Sequence, residues 1–280
     1  MNASQAHTNL SLRPGGRTRI AAAFEAARGV GRAALMPYFT LGFPDPQTSL
    51  EIVTAISQAG ADLIELGIPF SDPLADGPTI QRSTQIALEA GANLAGCLEM
   101  VAALRSNESV EQPLILMGYF NPILAFGLER FVAEAVIAGA DGLIIPDLPP
   151  EEAGEMEAAC QEHGLALIYL VAPSSTPERL ALAARRTSGI LYLVSLTGVT
   201  GARASLPPDL HGFVERVRAQ ARPNTPLAVG FGISTPEQVS AVAGLVDGVI
   251  VGSALIEAVS GAPDPAEAAA QFIRGLRVGL

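Results

Sequence analysis

The sequence predicts an α/β protein of the (β/α)8 TIM barrel class, and three observations carry that prediction. Eight short apolar runs are spread through the chain, segments of helical periodicity separate them, and a small glycine-to-aspartate punctuation recurs before some of the runs. The runs span residues 34–39, 63–66, 114–117, 142–145, 165–170, 190–194, 227–229 and 248–251. Between them, Ile80, Thr84, Ala87 and Leu88 fall at i, i+4, i+7 and i+8, as do Leu128, Val132, Ala135 and Val136, the spacing of a helix laid on a sheet. Strands that alternate with helices pair in parallel. Eight such units in a chain of 280 residues fit a closed barrel better than an open doubly wound sheet, which usually has fewer strands at this length. Ala59-Gly60-Ala61-Asp62, Ala138-Gly139-Ala140-Asp141 and Gly244-Leu245-Val246-Asp247 precede the second, fourth and eighth runs. Glycine after a helix is also ordinary capping chemistry, so this punctuation supports a repeating unit without proving one.

The ends and the composition bound the rest. Residues 1–19 carry Arg13, Arg17, Arg19, several small polar residues and a Pro14-Gly15-Gly16 turn but no acid, and read as a disordered tail. A transit segment can share that composition, but this one lacks an apolar periodic face, and no secretory apolar stretch follows. The cytoplasm is the expected location. No linker divides residues 20–280, which read as a single barrel domain. Hydrophobic residues make up 49% against 16% charged, which excludes disorder, and no apolar stretch reaches the ~18 residues of a membrane helix. With 28 acids against 17 bases, the net charge of −11 repels nucleic acid and anionic membranes. Any phosphate must therefore be held locally. Cys97 falls with Leu94, Leu98 and Val101, and Cys160 with Ala153 and Met156, at helical spacing, so both read as core thiols in a reducing compartment. His7, His163 and His211 are too scattered for zinc spacing, and no metal site is expected.

Barrels of this class carry their chemistry at the C-terminal ends of the strands. The segment Asp62-Leu-Ile-Glu-Leu-Gly-Ile-Pro-Phe-Ser-Asp-Pro-Leu-Ala-Asp-Gly-Pro78 stands there. Alternation puts Leu63 and Glu65 on one face and the apolar Ile64 and Leu66 on the helix-facing side, so Glu65 points into the mouth. A partly desolvated carboxyl there has a raised pKa, suited to donating and then removing a proton. A structural glutamate paired with an Arg or Lys is the competing reading, and few such partners lie near the strand ends. Asp76 follows on a loop stiffened by Pro69, Pro73 and Pro78 with Gly77 as pivot, as a loop closing over a substrate would be. A cap of the helix that starts near Pro78 explains Asp76 equally well, and the local sequence leaves both readings open.

Gly230-Phe-Gly-Ile-Ser-Thr-Pro-Glu237 and Gly252-Ser-Ala-Leu255 follow the seventh and eighth runs and open helices, and Gly198-Val-Thr-Gly201 follows the sixth. Backbone N–H groups in such loops can hold a phosphate without a lysine cluster. Gly230-Phe-Gly lacks the third glycine of a dinucleotide fingerprint, and no P-loop occurs, so no nucleotide cofactor is indicated. Aromatics are only 5% of the chain, yet Tyr38, Tyr119, Tyr192 and Phe231 all fall at or just past strand ends. Core packing explains any one of them. Together they suggest a flat apolar ligand portion beside the carboxylates.

The run Glu65-Leu-Gly-Ile-Pro-Phe-Ser-Asp-Pro-Leu-Ala-Asp-Gly-Pro-Thr-Ile-Gln81 closely resembles the signature of the tryptophan synthase alpha chain family. Pro37-Tyr-Phe-Thr-Leu-Gly42, Met117-Gly-Tyr-Phe-Asn-Pro122, Pro146-Asp-Leu-Pro149, Tyr192-Leu-Val-Ser, Gly198-Val-Thr-Gly201, Gly230-Phe-Gly-Ile233 and Gly252-Ser-Ala254 match in family order. The resemblance implies a lyase of tryptophan biosynthesis that cleaves indole-3-glycerol phosphate by a retro-aldol step to indole and glyceraldehyde 3-phosphate. It implies Glu65 as the acid-base residue and Asp76 as the second catalytic carboxylate; the strand-end aromatics and glycine loops read above add Tyr38, Tyr119, Tyr192, Thr200, Gly201, Phe231, Gly232, Gly252 and Ser253 as the expected substrate-binding residues. It further implies no cofactor in this chain and a beta-chain partner that binds pyridoxal phosphate, in an alpha2-beta2 heterotetramer. Asp72 and Asn121-Pro122 match positions at or near that interface, and the loops of Asp76 and Thr200 would close when the partner is engaged. At Leu196-Thr197 some members carry Arg-Ala, which bears on loop closure and not on the chemistry. Two alternatives remain at this point: another phosphate-sugar barrel enzyme, which has no reason for the Glu65-to-Asp76 segment, and a non-catalytic subunit that only binds a beta chain.

Overall fold

The computed structural model describes residues 14–106, 110–194, 209–230 and 232–280. Eight parallel strands close into a barrel in chain order: β1 (Ala34–Thr40), β2 (Ile64–Gly67), β3 (Leu114–Met117), β4 (Gly142–Ile144), β5 (Ala166–Val171), β6 (Leu191–Val194), β7 (Leu227–Gly230) and β8 (Gly248–Val251). Around them lie α1 (Gly16–Gly29), α2 (Pro46–Gln58), α3 (Pro78–Glu89), α4 (Leu94–Ser106), α5 (Phe120–Phe126), α6 (Leu128–Ala138), α7 (Gly154–His163), α8 (Pro177–Arg186), α9 (Leu210–Gln220), α10 (Pro236–Ala243), α11 (Ser253–Val259) and α12 (Pro265–Arg277). Each apolar run is a strand, within one residue at either end. No single described helix is long and apolar enough to cross a membrane.

Alternation along the strands makes two cores. Residues such as Leu35, Ile64, Leu66, Leu116 and Val229 pack outward against the helices, whereas Met36, Leu63, Ile115, Ile168, Ile190 and Ile250 fill the barrel. The inner cluster also contains Ile20, Phe24 and Ala27, because α1 runs across the base and plugs it. That corrects the boundary of the expected tail, since residues 16–19 form the first turn of this helix. A Cβ at Gly16 would lie 1.8 Å from the carbonyl oxygen of Asp141, so the glycine read as a turn signal is there for a close approach to the barrel. Arg19 secures the same turn with a 2.7 Å bond to Asp141.

The aspartate punctuation has a structural meaning at that base. Asp62, Asp141 and Asp247 each donate the backbone N–H to a leucine of the preceding strand, Leu35, Leu114 and Leu227 respectively. Each also accepts that leucine's N–H on its carboxylate, at 2.8, 2.9 and 2.9 Å. Ser188 does the same for Leu167 through its hydroxyl at 2.8 Å, completing four equivalent quarters. The fourth was invisible to a search for aspartate. Around the acids gather arginines: Arg32 on Asp62, Arg19 and Arg105 on Asp141, Arg28 and Arg218 on Asp247. Strand-edge N–H groups that would otherwise be orphaned are thus satisfied by charge-assisted bonds.

Helix starts are equally legible. Asp45-Pro46, Thr176-Pro177, Thr235-Pro236 and Asp264-Pro265 each place a capping oxygen on a downstream N–H and a proline at the first helical position. Cys97 and Cys160 are buried free thiols, both pushed up to about 12 by burial, as core residues would be.

Asp141 sits between two arginines, and its partner Arg105 is itself buried. Replacing Asp141 with Ala leaves the buried Arg105 guanidinium with backbone carbonyls but no counterion and should cost about 3–5 kcal/mol in urea unfolding, against about 1 kcal/mol for Ser188→Ala, where only neutral bonds are lost.

Candidate active site

At the C-terminal ends of the strands the barrel opens into a cavity of about 880 Å³. Strand β2 delivers Glu65 to its floor, opposite Tyr38 in the β1–β2 register. The side chain is fully buried above the apolar inner cluster. No arginine or lysine reaches it among the described residues. Among the described residues its one hydrogen bond comes from the Tyr192 hydroxyl to Oε2, at 3.3 Å, and Oε1 is the one buried side-chain polar atom with no partner. Desolvation raises its pKa to about 8, only partly offset by Tyr192, with the nearby Asp76 adding to the rise. At neutral pH this carboxyl holds its proton.

Asp76 stands on the rim, buried but for 8%. The helix α3 that follows is capped at Gly77 with no side-chain bond, so Asp76 is not its cap. Where four other proline-started helices spend an aspartate or threonine on the first turn, this one leaves its carboxylate to the cavity. Tyr119 holds it there: its hydroxyl donates to Asp76 Oδ2 at 3.1 Å and accepts the Ala75 N–H at 3.0 Å. Gln81 fixes the same residue from behind through the Asp76 carbonyl, at 2.9 Å. Burial lifts Asp76 to about 6, the Tyr119 bond pulling the other way. The two carboxyl groups therefore titrate on opposite sides of neutrality.

Of the residues singled out in the sequence, Tyr38, Glu65, Asp76, Tyr192, Gly232, Gly252 and Ser253 line this same cavity. Tyr119 lies behind Asp76, stacked near Phe70 with ring centroids 5.2 Å apart, and reaches the site only through that carboxylate. Thr200, Gly201 and Phe231 lie outside the described residues. Sequence reasoning missed Met117, Ile145, Leu170 and Ile250, apolar wall residues indistinguishable from core in a one-dimensional pattern. It also missed Thr40 and Ser83, which lie behind Tyr38. Thr40 could have been found, since it follows Tyr38 at the strand period of two. Asp147 lines the cavity as well, but one oxygen accepts the Phe120 N–H at 2.9 Å and serves the start of α5. Tyr38 needs its neighbour to be glycine: a Cβ at Gly67 would fall 2.1 Å from the phenol oxygen. Among the described residues no His, Cys, Asp and Glu cluster could hold a metal.

The buried carboxyl sets a stability test. Below about pH 4.5 Glu65 is neutral folded and unfolded alike. As pH rises, the unfolded chain ionises first, and native stability is lost until about pH 8, where the folded group ionises too. Glutamine does not titrate. Glu65→Gln should therefore gain about 3–5 kcal/mol relative to the parent between pH 4 and pH 9 in paired urea titrations; a pH-independent difference would refute the burial argument.

Comparison with known proteins adds the lineage. A family model described as tryptophan synthase alpha chain matches residues 24–276. The tryptophan synthase alpha chain of Chloroflexus aurantiacus is 52% identical over 261 residues, covering 92% of this chain and 97% of that one. That of Roseiflexus sp. is 52% identical, covering 93% and 99%. Among solved structures, the tryptophan synthase subunit alpha of Legionella pneumophila superposes with a TM-score of 0.86 at 41% identity, covering 93% of this chain and 97% of that one. A chain of Mycobacterium tuberculosis tryptophan synthase gives 0.86 at 39%, with 93% and 97% covered.

Proposed function

The chain belongs to the tryptophan synthase alpha chain family, and from that premise we propose that Glu65 and Asp76 are the two carboxyl groups with which it cleaves indole-3-glycerol phosphate. It is an indole-3-glycerol-phosphate lyase of tryptophan biosynthesis. The observation that carries the residue roles is the pair of environments: one carboxyl protonated at neutral pH on the barrel floor, the other ionised on the rim.

Glu65 donates its proton to C3 of the indole ring, which turns that carbon into a competent leaving group. It then removes the proton of the adjacent side-chain hydroxyl. The O–H electrons become the new C=O of glyceraldehyde 3-phosphate, the C–C bond breaks, and its electrons restore the indole. Protonation at C3 puts positive charge on the indole N–H, and Asp76 accepts a charge-assisted hydrogen bond from it. Tyr119 and Gln81 keep that carboxylate in place, so Tyr119 is a positioning residue. Tyr38 and Tyr192 flank the indole, and the low dielectric around Glu65 strengthens each of these interactions. Gly232, Gly252 and Ser253, with Thr200 and Gly201 from outside the described residues, take the phosphate, and Phe231, also outside them, is kept for the flat apolar portion of the ligand. Backbone donors suit a chain of net charge −11.

Residues 16–280 form one catalytic domain in this reading, and it acts in the cytoplasm. Indole passes to a beta chain, which binds pyridoxal phosphate, in an alpha2-beta2 heterotetramer. The mouth end offers a surface for it: Leu74 is 92% exposed on the Asp76 loop and Leu124 54% exposed on α5, beside the exposed Asp72 and Asn121. Contact there would press on the loop that carries Asp76.

Glu65→Gln should lower indole release from indole-3-glycerol phosphate by at least about 10³-fold with folding intact; substantial residual turnover would remove Glu65 from the role. In the parent, kcat/KM should follow a bell, rising as Asp76 ionises near pH 6 and falling as Glu65 loses its proton near pH 8. Co-purification with a beta chain, comparing the parent with Leu74→Asp, checks the partner surface: the substitution should weaken capture at least about tenfold.

A further inference from the structure

Three hydroxyl groups are buried in a row behind the cavity. Tyr38 Oη lies 3.4 Å from Thr40 Oγ1, Thr40 Oγ1 lies 2.7 Å from Ser83 Oγ, and Ser83 Oγ donates to the carbonyl of Ile80 at 2.8 Å. Thr40 and Ser83 are essentially inaccessible to solvent, and Tyr38 shows only its cavity side. Burying hydroxyls in a barrel wall is unfavourable unless they are bonded, so their arrangement is informative.

Counting protons gives the row a direction. The Ile80 carbonyl can only accept, so the single Ser83 proton is committed to it. The short Thr40–Ser83 bond must then use the Thr40 proton. Thr40 has none left for Tyr38, and the contact between them is made by the phenol's own proton. Burial, and then the Asp76 carboxylate, keep that phenol protonated. Its proton points back into the wall, and no described group donates to its oxygen. Tyr38 lines the cavity and is paired directly across the sheet with Glu65.

We infer that Tyr38 is a hydrogen-bond acceptor for a hydroxyl of the substrate's glycerol chain, with Thr40 and Ser83 as positioning residues that hold its proton away from the ligand. The inference deepens the lyase reading and rests on it. An acceptor beside Glu65 suits a polyol, whose hydroxyls must donate: one proton goes to Glu65 during cleavage, and a second hydroxyl needs a partner within the same wall. A site built this way discriminates against ligands lacking that hydroxyl, because nothing else then satisfies the phenol oxygen. Ser83 is also on α3, directly after the Asp76 loop, so the row ties the acceptor to the element that carries the second carboxylate.

The test pairs two ligands with a double-mutant cycle. Tyr38→Phe removes one oxygen and keeps the ring; it should raise KM for indole-3-glycerol phosphate about 3–10-fold. It should leave the Kd of indole-3-propanol phosphate, which lacks both hydroxyls, within about twofold of the parent's, inside the usual error of additivity. Equal weakening of both ligands would mean that Tyr38 acts by packing alone and would overturn the inference. Ser83→Ala should lower kcat/KM about threefold in the parent and leave it unchanged in the Tyr38→Phe background, with Ser83→Thr restoring the parent value. Equal effects in both backgrounds would make the row merely structural. A parent that binds indole-3-propanol phosphate but does not cleave indole-3-glycerol phosphate would instead count against the lyase reading.

Discussion

A carboxyl group above a floor of leucine and isoleucine cannot ionise cheaply, and the mouth of this barrel is arranged around that constraint. Glu65 has the inner cluster beneath it, one 3.3 Å hydrogen bond from Tyr192 beside it, and one oxygen with no partner among the described residues. Leaving a buried acceptor unsatisfied costs about 1–3 kcal/mol, a cost that a purely structural glutamate would have no reason to carry. What it secures is a proton retained at neutral pH on a fully buried side chain.

The rest of the site complements that choice. Asp76, closer to solvent and gripped by Tyr119, has a smaller rise in pKa and stays ionised where Glu65 is neutral. One barrel end thus offers a donor and an anion from chemically similar side chains, separated by environment alone. The phenols divide the work: Tyr192 donates to the floor carboxyl, Tyr119 donates to the rim carboxyl, and Tyr38 turns its proton away from the cavity.

Much of this was legible in one dimension because period and punctuation are local. The eight runs, the inward aim of Glu65 and the proline-started helices all follow from spacing over a few residues. The start of α1 was not legible, since Gly16 answers to the Asp141 carbonyl, 125 residues away, and looks like a turn until that neighbour is known. Asp76 could not be decided from its own segment either. A cap and a free carboxylate look alike in sequence, and only the uncapped first turn of α3 separates them. Tyr119 was read as a wall aromatic, yet its hydroxyl matters more than its ring, because its partners come from the β2–α3 loop. Ser188 escaped notice because a hydroxyl can replace a carboxylate where only one N–H needs an acceptor.

That substitution at the base carries a consequence for motion. Three quarters of the barrel are clamped by aspartates with arginine counterions, whereas the β5–β6 quarter relies on Ser188 and Thr187, whose bonds to Leu167 and Tyr169 are neutral. Local opening begins where the clamps are weakest, so amide exchange should be fastest in that quarter. Strand β6 carries Tyr192. A breathing motion that starts at the foot of the barrel would reach Tyr192, the donor to Glu65 at its head.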